Sequence, residues 1–281
     1  MRLLIIGGKS RLGQAVARGC PHATLVIRGG ASAVSGSVVT VGDYRTMAAC
    51  DFEGYDAVIN CTGLVRGSAD TLRNANAVLP THLAACADAA SVRHFVHISS
   101  FSVYGRAEQI DEDTPINPVN AYGHSKAEGE RMLSAGHGTT VVRLPSLYGD
   151  GASKLSQLIR VWLQLGWWPC PKGDIARSMM HYDSAASALL NLAVGAPRGC
   201  VAAADVEPFS YAGACDALGA AGTKVGLKRL PEGLSILAKA LGGDRARAVL
   251  ADSCLAGQFN LATDMGLPTR LRSDISAMVR S

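Results

Sequence analysis

No aspartate or glutamate precedes Asp43, although Arg2, Lys9, Arg11, Arg18 and Arg28 all do. A stretch that offers cations and no carboxylate lacks the usual acceptor for a ribose diol, and it suits an anionic group instead. Other absences narrow the class further. The eight cysteines include no Cys-x-x-Cys pair and no His-rich neighbour, which argues against a zinc site and a disulfide framework and leaves reduced, buried thiols. No apolar run reaches membrane-spanning length, and Arg2-Leu-Leu-Ile-Ile is too short for a signal segment, so a cytoplasmic protein without a membrane partner is expected. The net charge of +4 is spread without a basic run or an aromatic-interleaved patch, so no nucleic-acid partner is expected. There is no internal repeat and no low-complexity segment. A chain of 281 residues accommodates one large domain and a smaller companion.

What is present begins at the N-terminus. Leu3-Leu-Ile-Ile runs into Gly7-Gly-Lys-Ser10-Arg11-Leu12-Gly13 and then into a helical pattern. This strand, loop, helix order lets glycine backbone approach a pyrophosphate while the helix start favours its charge. Ser10 stands where a Gly-x-x-Gly-x-x-Gly turn would have its middle glycine, a departure expected to restrict the turn slightly. Five further apolar runs read as buried strands, at 23–28, 37–41, 57–60, 94–98 and 139–144. Helical patterns alternate with them, including an alanine-rich one at 74–90 and another at 120–133 with Pro118 at its entry. The alternation predicts an α/β fold, a Rossmann-type doubly wound parallel sheet with right-handed crossovers. Beyond Gly151 the pattern loosens; Trp162, Trp167 and Trp168 either pin the smaller domain or stack on a base.

The most informative residues are Tyr122 and Lys126, one helical turn apart on a shared face. An ammonium beside a phenol is expected to lower its pKa and fit it for proton transfer at a sugar or alcohol oxygen. About twenty positions upstream, the strand Arg93-His-Phe-Val-His-Ile-Ser-Ser100 ends in hydroxyl residues where parallel sheets bind ligands. Ser100 is thus the candidate hydrogen-bonding partner of the reacting oxygen, with Ser102 second; Ser99 is expected only to cap a turn.

With Gly42-Asp43, Asn60-Cys61-Thr62-Gly63, Asn76, Arg143-Leu-Pro145-Ser146-Leu-Tyr-Gly149, Arg177-Ser-Met-Met-His-Tyr-Asp183 and Phe259-Asn-Leu-Ala-Thr-Asp-Met-Gly-Leu-Pro268, the ordered set resembles the extended short-chain dehydrogenase/reductase superfamily, in its nucleotide-sugar epimerase, dehydratase and ketoreductase group. The resemblance runs through most of the chain. It implies a nucleotide-binding domain of residues 1–150 and 175–204, a substrate domain of residues 151–174 and 205–281, and a homodimer. It implies catalysis by Ser100, Tyr122 and Lys126. Cofactor contacts would come from Gly7, Ser10, Arg11, Leu12, Gly13, Arg28, Asp43, Tyr44, Cys61, Thr62, Gly63, Asn76, Tyr122, Lys126 and Pro145, with Asp43 at the adenine. Substrate contacts would come from Ser102, Ser146 and Arg177, the last at the diphosphate or else in a domain-interface ion pair.

Arg28 falls where an NAD site usually has its carboxylate, and a guanidinium suits a 2′-phosphate, so NADP is expected, with NAD as the alternative; the other reading of Arg28 is a solvent-facing side chain. Departures from the family pattern narrow the reaction. Phe101 and Ser102 replace the acids of dehydratases, and Ser146 replaces an asparagine of many 4-epimerases. Ser184 replaces an acid for which Asp183 could substitute. The expected reaction is hydride transfer to a nucleotide-linked 4-keto sugar, with 4-epimerisation next and a non-catalytic NADP-binding sensor as the reading from another class.

Overall fold

The computed structural model describes residues 1–30, 37–134, 138–149, 153–170, 173–195, 199–231, 253–257 and 260–278. Gly151 and Phe259 lie outside them. The chain divides into two compact units: 1–106, 114–145 and 182–203 in the first, and 107–113, 146–181 and 204–281 in the second.

The first unit is built on seven strands in the spatial order Gly199–Ala202, Thr139–Leu144, His94–Ser100, Ala57–Asn60, Leu3–Ile6, Thr24–Arg28, Ser37–Val41. Every adjacent pair is parallel. Leu3–Ile6 and Ala57–Asn60 are buried at every residue, as continuous apolar runs are when helices cover both faces. Leu4 and Ile6 join Val58, Leu83, Phe95 and Leu133 in the core on one side of the sheet. On the other side the Arg11–Gly19 and Tyr182–Gly195 helices meet, with an added Cβ on Gly19 only 2.7 Å from Leu190. Sequence reading missed the strand Gly199–Ala202, whose edge position leaves it half exposed and without a strong apolar run.

The register sets the carboxyl ends of Leu3–Ile6, Ala57–Asn60 and His94–Ser100 along one edge, since Ile6 pairs with Asn60 and Asn60 with His97. The loops that follow these strands are therefore neighbours. The alanine-rich helix starts earlier than its composition suggested, at Ala69, because Ser68 caps it. It passes through a π-turn at Asn74–Val78 before continuing as Leu79–Ala89, and such turns interrupt helices mostly at functional sites. At that turn the helix Ala121–Leu133 approaches closely: a Cβ on Gly129 would stand 2.2 Å from the Asn76 carbonyl oxygen. Gly129→Ala is therefore expected to lower stability by about 3 kcal/mol through backbone displacement, read as a fall in the urea midpoint with unchanged m-value.

Among the described residues the second unit holds three small parallel pairs, Ser146–Tyr148 with Met179–His181, Trp167–Cys170 with Gly226–Arg229, and Gln109–Ile110 with Cys254–Leu255. Its core gathers Tyr148, Ile159, Trp162, Phe209, Tyr211 and Leu218. Trp162, Trp168 and Tyr211 sit with ring centroids 6.1–6.5 Å apart, so two of the three tryptophans pack inside this unit. Trp167 lies at the surface under Lys228, whose Nζ is 3.9 Å from the ring centroid.

Candidate functional site

Gly7 adopts φ +86°, and a Cβ there would stand 2.9 Å from the Cys61 carbonyl carbon. Only glycine meets both conditions. At Gly13 a Cβ would stand 2.6 Å from the Gly7 oxygen, so this glycine lets the helix close on the strand. Ser10, by contrast, has φ −68° and needs no glycine. Instead of restricting the turn, its hydroxyl caps the helix by accepting from Gly13 N at 2.9 Å. The result is a tight glycine turn that places Arg11 and Leu12 in the first turn of a nine-residue helix, a cradle that a dinucleotide's pyrophosphate fits.

The neighbouring loop 61–64 is held by two buried asparagines. Asn60 Oδ1 accepts from Thr62 N at 3.1 Å and from the Thr62 hydroxyl at 2.7 Å, while its amide meets His97 Nδ1 at 3.2 Å. Burial pushes His97 well below the usual imidazole range, so the ring is neutral. Asn76 accepts from Leu64 N and donates to Leu64 O and Ser125 Oγ at 2.8–3.0 Å. Both functions of this fully buried side chain are engaged within the protein. Sequence reading missed Asn60, His97 and Ser125 as parts of the site; for Asn60 and His97 the signal was a polar residue closing or interrupting an otherwise apolar strand, while Ser125 lies on the helix Ala121–Leu133.

A cleft is lined by Leu12, Cys61, Thr62, Gly63, Leu64, Val65, Ile98, Ser99, Tyr122 and Lys126. Tyr122 is on the first turn of the helix capped by Asn120, which accepts from Gly123 N at 2.8 Å. Its phenol is hydrogen-bonded to Ser100, which brings these two candidate side chains together. The phenol's acidity differs from expectation. Burial raises the Tyr122 pKa above the usual value, opposed only by the Ser100 hydrogen bond. The Lys126 ammonium instead donates to the Ile98 carbonyl at 2.8 Å, and burial lowers its own pKa to about 8 against the pull of Glu130. The i, i+4 spacing gives a shared face, but the lysine stem turns the charge toward the strand. A glycine at 63 leaves room for it, since a Cβ there would lie 3.3 Å from Lys126 Nζ.

The capping part expected of Ser99 falls to Ser100. Ser100 is the turn cap, its hydroxyl accepting from Ser102 N at 3.2 Å while also reaching Ser102 Oγ. Ser99 caps nothing: it points to the other face of the strand and donates to Glu130. One serine oxygen can serve both the turn and Tyr122 because a hydroxyl has two lone pairs and a donor.

At the strand end Thr24–Arg28, Arg28 is exposed. Tyr44 lies beneath, its phenol hydrogen-bonded to the Arg28 main chain and its pKa raised by burial. Asp43 accepts from Arg45 N at 3.0 Å and Arg45 Nε at 2.8 Å, and these bonds lower its pKa to about 2. Lys9 donates to the Gly29 and Gly30 carbonyls at 3.2 and 2.7 Å, bridging the glycine turn to this strand end. Pro145 ends the first unit, after Leu144.

Ser146 and Arg177 belong to the second unit. Ser146 opens a strand paired with Met179. Arg177 pairs through its backbone with Phe209 and Ser253, and burial lowers the pKa of its guanidinium. Asp183 does not take the place of the acid missing at 184: it pairs with Arg18 at 3.1 Å on the surface, whereas Ser184 is buried.

A model of the NAD dependent epimerase/dehydratase family matches residues 3–194. Methionine adenosyltransferase 2 subunit beta of Xenopus tropicalis is 44% identical over 73 residues, covering 25% of this chain and 22% of that protein. The chain spans about a fifth to a third of the length of the curated relatives it matches. Among solved structures, a dTDP-4-dehydrorhamnose reductase of Clostridium acetobutylicum is similar with TM-score 0.63 at 22% identity, covering 82% of this chain and 84% of that one. A UDP-glucuronic acid 4-epimerase of Bacillus cereus in complex with NAD gives TM-score 0.69 at 15% identity, covering 98% and 96%. At these identities the likeness is one of fold.

Proposed function

The chain belongs to the NAD dependent epimerase/dehydratase family, and we propose that within it the protein reduces the keto group of a nucleotide-linked 4-keto sugar with NADPH. The observation that carries this reading is the state of Tyr122: hydrogen-bonded to Ser100 and held protonated by burial, it is loaded as an acid. Reduction needs a proton donor at the developing alkoxide. Oxidation needs a phenolate, which burial opposes.

NADPH, when bound, would supply the hydride. Tyr122 delivers the proton to the keto oxygen, and Ser100 hydrogen-bonds the same oxygen and orients it. Lys126 holds the nicotinamide ribose, while Thr62 and Gly63 line that end of the cleft and Asn76 shapes it. Gly7, Ser10, Arg11, Leu12 and Gly13 receive the pyrophosphate, and Asp43 with Tyr44 borders the adenine. Arg28 takes the 2′-phosphate. Ser102, Ser146 and Arg177 are assigned to the substrate, Arg177 to its diphosphate. The first compact unit is the proposed nucleotide domain, which the sequence bounded at 1–150 with 175–204, and the second unit, with Ser146 and Arg177, is the proposed substrate domain. The Clostridium acetobutylicum reductase supports the reaction class by fold alone.

Calorimetric titration tests the cofactor assignment. NADPH is expected to bind more tightly than NADH, and Arg28→Ala to weaken NADPH binding roughly ten- to a hundredfold, the scale of one charge-assisted contact. Equal affinities in the unmutated protein would overturn it. The reaction is tested by incubating the purified protein with NADPH and a nucleotide-linked 4-keto sugar. One NADPH is expected to be consumed per sugar reduced, with no dinucleotide retained after desalting.

Two other outcomes would point to a different function. Interconversion of UDP-sugars without net cofactor loss would establish 4-epimerisation, the activity named for the Bacillus cereus neighbour. Tight NADPH binding with no turnover would favour a non-catalytic, cofactor-binding role.

A further inference from the structure

Beneath the proposed site lies a buried ion pair that the reaction does not use. Glu130 follows Lys126 by one helical turn and Tyr122 by two, on the same face of the helix. Arg143, on the strand Thr139–Leu144, donates to it through Nε at 3.2 Å and Nη2 at 2.7 Å. Ser99 donates to the same carboxylate. Arg143 Nη1 also donates to the Tyr104 phenol at 2.8 Å, with the guanidinium 4.9 Å from that ring's centroid. Tyr104 closes the short turn that Ser100 opens. One carboxylate and one guanidinium thus tie the helix of Tyr122 and Lys126, the strand end of Ser100 and its following turn to a third element.

We propose that Glu130 and Arg143 are positioning residues for Ser100, Tyr122 and Lys126, fixing helix against strand so that the three side chains stay in register. The inference rests on the proposed role of that trio. Stability alone is a poor reason for such a pair, because apolar residues of similar volume often replace a buried ion pair without loss. Glu130 also has an electrostatic part. The groups that face Lys126 are Tyr122 and Glu130 on its own helix, neutral His97 on the adjacent strand and the protonated thiol of Cys61, pushed up to about 12 by burial. Glu130 is the one whose field favours the ammonium.

The test uses the full chain, without cofactor or substrate, in two labelled samples: ¹³C,¹⁵N-lysine for the side-chain NMR signal of Lys126, identified by its loss in Lys126→Arg, and uniform ¹⁵N for the backbone amides. In Glu130→Gln the titration midpoint of Lys126 is expected to fall by about one pH unit. The double variant Glu130→Leu, Arg143→Met leaves no unpaired charge. It is expected to fold, with displaced amide signals at Ser100 and Tyr122 and the same lowered midpoint, whereas Arg143→Lys restores both. An unchanged Lys126 midpoint in Glu130→Gln, whether or not the double variant folds, would overturn the proposal. So would unmoved Ser100 and Tyr122 signals in a folded double variant. Neither readout involves turnover, so a failed reductase assay and a failed positioning role are told apart.

Discussion

Tyr122→Phe is expected to lower kcat for keto-sugar reduction about a thousandfold, within the range that one positioned acid contributes. That corresponds to about 4 kcal/mol of transition-state stabilisation. The alkoxide formed by hydride delivery must be protonated as it develops, and among the side chains lining the cleft Tyr122 is the neutral acid already bonded to Ser100. Ser100 orients an oxygen but is too weak an acid to replace the phenol. Lys126, turned to the Ile98 carbonyl, is not placed to donate in its stead. Phenylalanine keeps the ring, so the fold should survive with a loss of about 1 kcal/mol for the hydrogen bond to Ser100. NADPH affinity should stay within about twofold of the unmutated value, because only a transferable proton is removed. Since burial raises the Tyr122 pKa, this acid stays loaded throughout the neutral range and should contribute no pH dependence there. Single-turnover rates with saturating NADPH decide the matter. A variant within tenfold of the original kcat would move the acid role to another residue.

The parts of the site that local patterns determine were legible in the chain. Leu3–Ile6 breaking into Gly7 announced a strand and a phosphate-type turn, and the structure puts Gly7 at φ +86° against the Cys61 carbonyl. The Tyr122/Lys126 spacing announced a common helix face, and the helix is there. What the pattern could not carry was direction. Whether the Lys126 ammonium points at a phenol or at the Ile98 carbonyl depends on a strand far away in sequence and on the room left by Gly63. The same holds for Ser99 and Ser100, adjacent residues on opposite faces of one strand, whose partners Glu130 and Tyr122 are set by how the helix lies across it. Ser10 shows the reverse case, a departure from a motif that is an ordinary helix cap. The anchoring roles of Asn60, quoted only as part of a motif, and of His97 were not read, because a lone polar residue in an apolar run carries no periodicity; Asn60 holds the loop that follows it and His97 backs Asn60.

Lys126→Met should make the protein more stable at pH 7 while removing its proposed function. The ammonium is 4% exposed and its folded-state pKa is lowered, chiefly by burial, from 10.5 to about 8. That difference amounts to about 3 kcal/mol of destabilisation by the charged form. Methionine keeps most of the stem and carries no charge. Against the gain stands the Ile98 carbonyl, which loses its donor at a cost of about 1 kcal/mol. The net expectation is about 2 kcal/mol, or a rise of roughly 4 to 8 °C in Tm for a chain of this size. The sign with pH follows from the lowered pKa. Holding the lysine charged costs the unmutated protein its full amount below pH 8, where both folded and unfolded chains are protonated. The cost fades as pH rises toward 10.5, where the unfolded lysine also loses its proton, so the advantage of the variant should shrink over that window. Function runs the other way, as it does where a site is maintained at the expense of stability. NADPH binding should weaken at least about tenfold, because a cation with hydrogen-bond donors for the ribose is gone. Denaturant titrations of both proteins at pH 7 and pH 10, alongside calorimetry with NADPH, measure each part. A variant less stable than the original at pH 7 would mean that the Ile98 and Glu130 contacts outweigh the desolvation of the charge. Unchanged NADPH affinity would remove Lys126 from the cofactor site.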